Sequence, residues 1–150
     1  MTIDLILAIV HHLGVFTVAG IIAAEWALVR PGMSVEKVRQ VARIDALYGI
    51  AAATVLLIGF ARVFFGLKGS AFYMQNPVFW AKIIAFIIVG VLSITPTLLF
   101  IHWRDKAKKD ASYLPSADEI ASVRRYVKIE AHVFVLIPIL AAAMARGYGL

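Results

Sequence analysis

Two adjacent histidines, His11 and His12, lie within an apolar run that is long enough to cross a lipid bilayer. A hydrocarbon core of about 30 Å requires about 20 apolar residues in a helix, and an ionisable side chain at that depth costs roughly 2.5 to 3.5 kcal/mol. Imidazole can bind a metal ion or exchange a proton near neutral pH. The position of the pair therefore indicates a functional site.

The composition indicates which elements must position this pair. The chain has 150 residues, of which 62% are hydrophobic and 16% charged, a balance that excludes an ordinary soluble domain. It contains no Cys, which excludes thiolate metal sites, disulfides and iron-sulfur clusters. We predict an all-α integral membrane four-helix bundle that forms a single domain over residues 1–150, with spans at about residues 3–29, 47–65, 78–101 and 127–145.

The distribution of basic residues predicts the orientation of the bundle. Most of the 15 Lys and Arg lie between the first and second spans and between the third and fourth. The positive-inside rule therefore places both loops in the cytoplasm and both termini on the periplasmic side of a bacterial inner membrane. The net charge of +6 then reflects topology and contact with membrane lipids, and it argues against a nucleic-acid partner.

Local signals set the helix boundaries. Ser116 and Glu119 form a capping-box pattern that predicts a helix from about Ala117, and Ser34 predicts a start near Val35. The helices of the second and fourth spans should therefore extend into the cytoplasm. Residues 66–77 are expected to form an external loop, and prolines inside the third and fourth spans should kink those helices.

The two cytoplasmic entries resemble each other in sequence. Residues 38–46 match residues 123–131, with Asp45 at the position of Glu130. This match suggests two tandem helix pairs related by an axis along the membrane normal. The alternative is that any helix entering a membrane from the cytoplasm carries a basic residue followed by a carboxylate.

Depth along the helices predicts a cationic outer cluster. At 1.5 Å per residue, the histidine pair lies about 7 to 8 Å to the outer side of the middle of its helix, and Arg62 and Lys82 lie roughly 9 to 11 Å to that side of theirs. Arg146 ends the last helix on the same side. The alternative for Arg62 and Lys82 is that each extends to the nearby interface.

The inner half of the bundle should be rich in carboxylates. The same arithmetic places His132 about 7 Å to the inner side, roughly 13 Å in depth from the histidine pair. If His132 and a histidine of the pair bound one iron together, the helices would have to be tilted or offset. Ligation by one histidine, or two separate sites, would not require this. Glu130 could instead pair with Lys128 or Arg125 in a solvated extension. The carboxylates expected in this half are Glu25, Asp45 and Glu130.

Only one of two adjacent histidines can point straight at the bundle axis, because neighbours on a helix differ by about 100°. His11 shares its face with Gly14, Val18 and Glu25. Small and polar residues mark the packed face of a membrane helix, which favours His11 over His12 as the inward residue.

These residues suit a haem b site. Histidine supplies axial ligands, apolar side chains enclose the macrocycle, and cations bind the propionates. The candidate iron ligands are His12, His11 and His132, and the candidate propionate partners are Arg62, Lys82 and Arg146.

The chain also resembles known families. It is similar over nearly its whole length to a family of small bacterial inner-membrane proteins of unassigned function, through motifs that include His11-His12-Leu13, Glu25-Trp26 and Met144-Ala-Arg-Gly147. The early histidines, with Trp80 and Lys82 opening the third span, resemble the bacterial membrane protoporphyrinogen oxidase, a four-helix haem protein. That resemblance implies haem b and tetrapyrrole or electron-transfer chemistry. Lys82 and Arg62 are then the candidate catalytic residues.

Two functions follow as expectations. The first is a haem b redox protein that takes electrons from a lipid-soluble donor such as a quinol or a porphyrinogen. The alternative is a small proton-coupled transporter or permease that uses the inner carboxylates, and four spans would require it to act as a homo-oligomer. An accessory membrane subunit without chemistry of its own is a further alternative.

Overall fold

The computed structural model describes residues 2–149, and this part of the chain folds into five α-helices with no strand. Four of the helices are long and apolar enough to cross a membrane. The prediction of an all-α bundle with four spans is therefore confirmed. The helices are α1 (Thr2–Leu28), α2 (Val35–Phe65), α3 (Gly69–Met74), α4 (Pro77–Lys109) and α5 (Ala117–Ala145).

Side-chain caps fix the starts of α2, α4 and α5. The Ser34 hydroxyl accepts a hydrogen bond from the backbone N–H of Lys37 at the start of α2. At the start of α5, Ser116 and Glu119 form the reciprocal capping box. Both predicted starts are confirmed. The side chain of Asn76 caps α4 in the same way, with proline at the first helical position, where its missing N–H removes no bond.

Two features differ from the sequence prediction. Helix α4 does not end with its apolar run near residue 101 but continues to Lys109, because Trp103 and Ala107 remain buried and three lysines in the last turn suit the helix dipole. The predicted external loop contains the short helix α3, whose Tyr73 is buried against Phe79. Helix α4 contains Pro96 and helix α5 contains Pro138, and each helix continues past its proline.

The bundle is built from two helix pairs. Helix α1 packs along α2, and α4 packs along α5; α2 then contacts α4, and α1 contacts α5. The largest core cluster lies toward the end that carries the α1–α2 and α4–α5 connections, which we call the basic end, and includes Phe100 and Trp103. The opposite end, which carries the chain termini and α3, is called the terminal end. Many large apolar side chains stay exposed along the spans, as expected of surfaces that face lipid.

The two pairs make the same contact with each other. Arg39 of α2 donates a hydrogen bond of 2.9 Å to the carbonyl oxygen of Ala107, near the end of α4. Arg124, the matching residue of α5, donates to the carbonyl oxygen of Val29 after α1 and lies 4.1 Å from the centre of the Trp26 ring. Each arginine thus bonds to a carbonyl group at the end of a helix in the other pair. A repeated helix pair would predict this reciprocal contact.

The burial pattern extends this correspondence to α1 and α4, whose sequences do not match. Buried positions of the α1 segment match buried positions of α4, and the number of residues between the two is the same for every matched pair. The matched pairs are Val18 and Pro96, Ile22 and Phe100, Glu25 and Trp103, and Val29 and Ala107.

Candidate functional site

Two polar layers lie within the apolar bundle. The terminal layer comprises His11, Arg62 and Lys82, from α1, α2 and α4. The carboxyl layer lies nearer the basic end and comprises Glu25, Asp45 and Glu130, from α1, α2 and α5.

The adjacent histidines have different environments. His11 is half-buried, and its Cε1 lies 3.3 Å from the position that a Cβ would occupy on Gly59, so the glycine of α2 leaves room for the ring. Its Nδ1 is turned toward the backbone of Val55 but has no hydrogen-bond partner of good geometry. His12 is exposed, and its Nδ1 lies 2.6 Å from the carbonyl oxygen of Ala8.

Arg62 and Lys82 lie close enough to His11 to act on it electrostatically. The buried Nε of Arg62 has no hydrogen-bond partner, and Lys82 Nζ lies 5.2 Å from the centre of the Phe79 ring. Within residues 2–149, ion pairs occur only at the basic end, among Arg104, Lys108 and Asp105. The terminal layer therefore holds two cations without a paired carboxylate in the part of the chain that the structure describes.

Asp4 is the acidic side chain near the terminal end of α1 and α2, and it forms a hydrogen bond rather than an ion pair. Asp4 Oδ1 accepts a hydrogen bond of 3.3 Å from the backbone N–H of Leu67, just beyond α2. It thus ties the start of α1 to the end of α2 and forms no ion pair with Arg62.

A groove of about 490 Å³, including its open side, lies against the terminal layer. His11 and Lys82 contribute to its wall, and the rest is almost entirely apolar. The other lining residues are Val15, Val55, Leu56, Gly59, Phe60, Val63, Phe79, Ile83, Phe86 and Ile137.

Other residues of the expected haem site lie elsewhere. His132 is exposed, its Nδ1 lies 2.6 Å from the carbonyl oxygen of Lys128, and it lines a separate groove with Trp26. Arg146 caps the end of α5 and is exposed. Across residues 2–149, no three His, Asp or Glu side chains are arranged to hold a metal ion. The structure thus brings together His11, Arg62 and Lys82, and it places His132 and Arg146 elsewhere.

The carboxyl layer is more deeply buried than the sequence suggests. Glu25, Asp45 and Glu130 are 2%, 6% and 1% exposed, and Glu25 is within electrostatic range of the other two. Lys128 and Arg125 are exposed and form no ion pair with Glu130, so the expected pairing in a solvated extension is wrong. Glu130 lies inside the bundle, where one turn of α5 meets the neighbouring helices.

Hydroxyl groups lie beside these carboxyls, and sequence reasoning assigned them no role. Thr97 donates a hydrogen bond of 2.7 Å to Asp45 Oδ1. The hydroxyl of Tyr48 faces Glu130 and Ser93 without the geometry of a hydrogen bond to Glu130. The spacing of Asp45 and Tyr48, three residues apart on one helix face, was the available signal.

Neither glutamate is satisfied by its surroundings. Both carboxyl oxygens of Glu130 are buried without a hydrogen-bond partner among the described residues, and so is Oε1 of Glu25. Buried polar atoms are normally hydrogen-bonded, so these exceptions require an explanation.

Four membrane-length helices with polar layers in an apolar bundle define a multi-pass integral membrane protein. Residues 3–149 match the family described as "Predicted membrane protein (DUF2214)", and the chain belongs to that family. No curated protein and no solved structure matched in the corresponding comparisons. The resemblance to the membrane protoporphyrinogen oxidase gains no support from them.

Proposed function

We propose that the protein is a haem b-binding membrane redox protein in which His11 is the iron ligand. The observation that carries this proposal is the terminal layer itself: a half-buried imidazole lines an apolar groove and stands beside two cations. A histidine-ligated haem b site combines these three features, namely an imidazole ligand, an apolar enclosure and partners for the propionates.

Charge balance supports the assignment. Arg62 and Lys82 are two cations at membrane depth without a paired carboxylate in the described chain. An unpaired charge in this environment is costly, and an anionic group offsets that cost. The two propionates of haem b match the two cations in number. Arg62 and Lys82 would hold these groups, while the apolar wall would exclude water from the macrocycle.

The residues fit ligation by one protein side chain rather than two. His12 and His132 are exposed, and neither lines the groove that His11 lines. When bound, haem would supply one-electron transfer to or from a lipid-soluble donor such as a quinol or a porphyrinogen. The side chains of this chain would orient it and hold its charge.

A visible spectrum tests the proposal. Protein purified after expression with a haem supply should show a Soret band that shifts on reduction with dithionite. The His11→Ala variant should lose the band, whereas the matched His12→Ala and His132→Ala variants should retain it.

Colourless wild-type protein would overturn the proposal. Retention of the band in His11→Ala would show that the iron ligand is a different residue. Weaker retention of haem in Arg62→Gln and Lys82→Met, with the position of the reduced band unchanged, would support their role as propionate partners.

A further inference from the structure

The carboxyl layer has no role in the proposed haem site, and its chemistry requires a separate account. Glu25, Asp45 and Glu130 place three acidic groups where α1, α2 and α5 meet, together with Thr97 of α4. Three ionised carboxylates at this depth would repel one another and would lose the solvation of bulk water. No cation contacts any of them in the part of the chain that the structure describes.

We propose that the carboxyl layer is a proton-binding site. Glu130 carries the exchangeable proton, and Asp45 and Glu25 belong to the same acidic group, whose negative charge that proton reduces. Glu130 is the natural carrier because neither of its oxygens has a partner. Asp45 already accepts a hydrogen bond from Thr97, which stabilises its ionised form. Uptake of a proton turns the Glu130 carboxylate into a neutral acid, and release reverses that change without any other bond being broken.

A proton fits this layer better than a metal ion. Calcium and magnesium require about six or more oxygen ligands at roughly 2.0 to 2.6 Å. No group of three acidic or imidazole side chains within residues 2–149 has that arrangement. A proton needs a single carboxyl oxygen, and the hydroxyls of Tyr48, Thr97 and Ser93 can both donate and accept hydrogen bonds.

A groove connects this layer with the basic end. It lies between α2 and α4, has a volume of about 1170 Å³ including its open side, and is lined by Asp45, Tyr48, Thr97 and Arg104, among others. Arg104 stands at its basic end and is paired with Asp105 at 3.0 Å. Asp45 faces this groove, while Glu130 lies behind Tyr48. Protons would therefore exchange with the basic end through Asp45 and the Tyr48 hydroxyl.

Among the described residues, the groups near Glu130 on the neighbouring helices include no cation. They are Glu25 on α1 and Asp45 and Tyr48 on α2. On α4, the Thr97 hydroxyl bonds to Asp45, the Ser93 hydroxyl lies beside Tyr48, and Arg104 is the charged residue farther along the groove. Within these described surroundings, a proton is the charge carrier that can neutralise the layer.

The helix-pair correspondence supports a shared site. Asp45 and Glu130 occupy matched positions of α2 and α5, so each pair contributes one carboxyl to the layer. Two carboxyls within electrostatic range of each other ionise less readily together than either would alone. Glu25 breaks the correspondence, because its counterpart in α4 is Trp103.

Infrared spectroscopy of the purified protein, without added haem, tests this site. In lipid nanodiscs, the wild type should show the carbonyl stretch of a protonated carboxyl group. That band should shift in D₂O and decline as the pH is raised. Glu130→Gln should remove the band, and Asp118→Asn, an exposed change on the same helix, should leave it intact.

Two further variants keep the result decisive if Glu130→Gln does not fold. Tyr48→Phe should slow the exchange with D₂O severalfold while keeping the band, because it removes the hydroxyl between Glu130 and the groove. Glu25→Gln should shift the pH at which the band declines.

Absence of a protonated-carboxyl band in the folded wild type would overturn the site. A band that Glu130→Gln leaves intact would do so as well. If Glu130→Gln does not fold, a pH dependence unchanged in Glu25→Gln together with a D₂O exchange rate unchanged in Tyr48→Phe would also overturn it. Since these spectra need no haem, the outcome is independent of the Soret measurement.

Discussion

Replacement of Glu130 by leucine should make the protein more stable. The side chain is 1% exposed, and both carboxyl oxygens lack a partner among the described residues. A buried polar group without a hydrogen bond costs about 1 to 3 kcal/mol relative to a satisfied one. Leucine removes both oxygens at similar volume, and volume-conserving apolar replacements cost less than about 1.5 kcal/mol. We therefore expect Glu130→Leu to raise the free energy of unfolding by about 1 kcal/mol.

The change should be measured by reversible unfolding in mixed micelles, with α-helical circular dichroism as the signal. Thr97→Val provides a matched control of opposite sign. It keeps the shape of the side chain but removes the hydroxyl that donates to Asp45, which should lower the free energy of unfolding by about 1 to 3 kcal/mol.

Destabilisation of the protein by Glu130→Leu would refute this reasoning. It would mean that the carboxyl group of Glu130 makes a favourable interaction that is absent from the described structure. Equal effects of Glu130→Leu and Thr97→Val would refute the distinction between an unsatisfied and a satisfied carboxyl group.

Three further predictions concern other parts of the molecule. Gly59→Val should abolish haem binding without unfolding the protein, because even a Cβ would meet the His11 ring at 3.3 Å; a normal Soret band would contradict this. Ser116→Ala should destabilise the protein by about 1 kcal/mol in thermal unfolding, since it removes the capping box. Hydrogen bonds from Ser112 hold the pKa of Asp110 below its usual value, so their stabilising effect is lost as the pH falls through the folded-state pKa. In an NMR titration, Ser112→Ala should therefore raise the pKa of Asp110, and an unchanged value would contradict the assignment.

The two polar layers correspond to the two functions expected from the sequence. The proposal of haem-dependent redox chemistry rests on the terminal layer. The proposal of a proton-binding site, which a proton-coupled transporter would need, rests on the carboxyl layer. Proton flux into proteoliposomes would distinguish a carrier from a site that only exchanges protons with one side. If the protein is a carrier, Glu130→Gln and Asp45→Asn should each reduce that flux, and equal flux in both variants and the wild type would count against transport.

The long elements could be predicted from sequence because their signals are local. Apolar length sets the four spans, and the caps at Ser34 and Ser116 set the starts of two helices within a residue. The end of α4 could not be predicted in this way. Hydropathy falls where its charges begin, whereas the helix continues as long as residues such as Trp103 find a buried contact.

The polar layers could be predicted only in part, because they depend on how the helices rotate against one another. Shared small residues indicated the inward face for His11, but its neighbours Arg62 and Lys82 come from other helices. The suggested partnership of Glu130 with Lys128 overlooked a geometric rule. Residues two apart on a helix point in nearly opposite directions, so burial of one leaves the other exposed. Tyr48 and Thr97 join the carboxyl layer through tertiary packing, which no single segment specifies.

The arginine contacts between the helix pairs bear on how the chain is assembled. Each pair has the form of a helical hairpin that can enter the membrane from the same side. The carbonyl of Val29 after the first hairpin's α1 receives its bond from Arg124, and that of Ala107 in α4 receives its bond from Arg39. Neither hairpin acquires this bond until the other is in place. Docking of the two hairpins is therefore mutual, because each supplies the arginine that bonds to a helix end of the other.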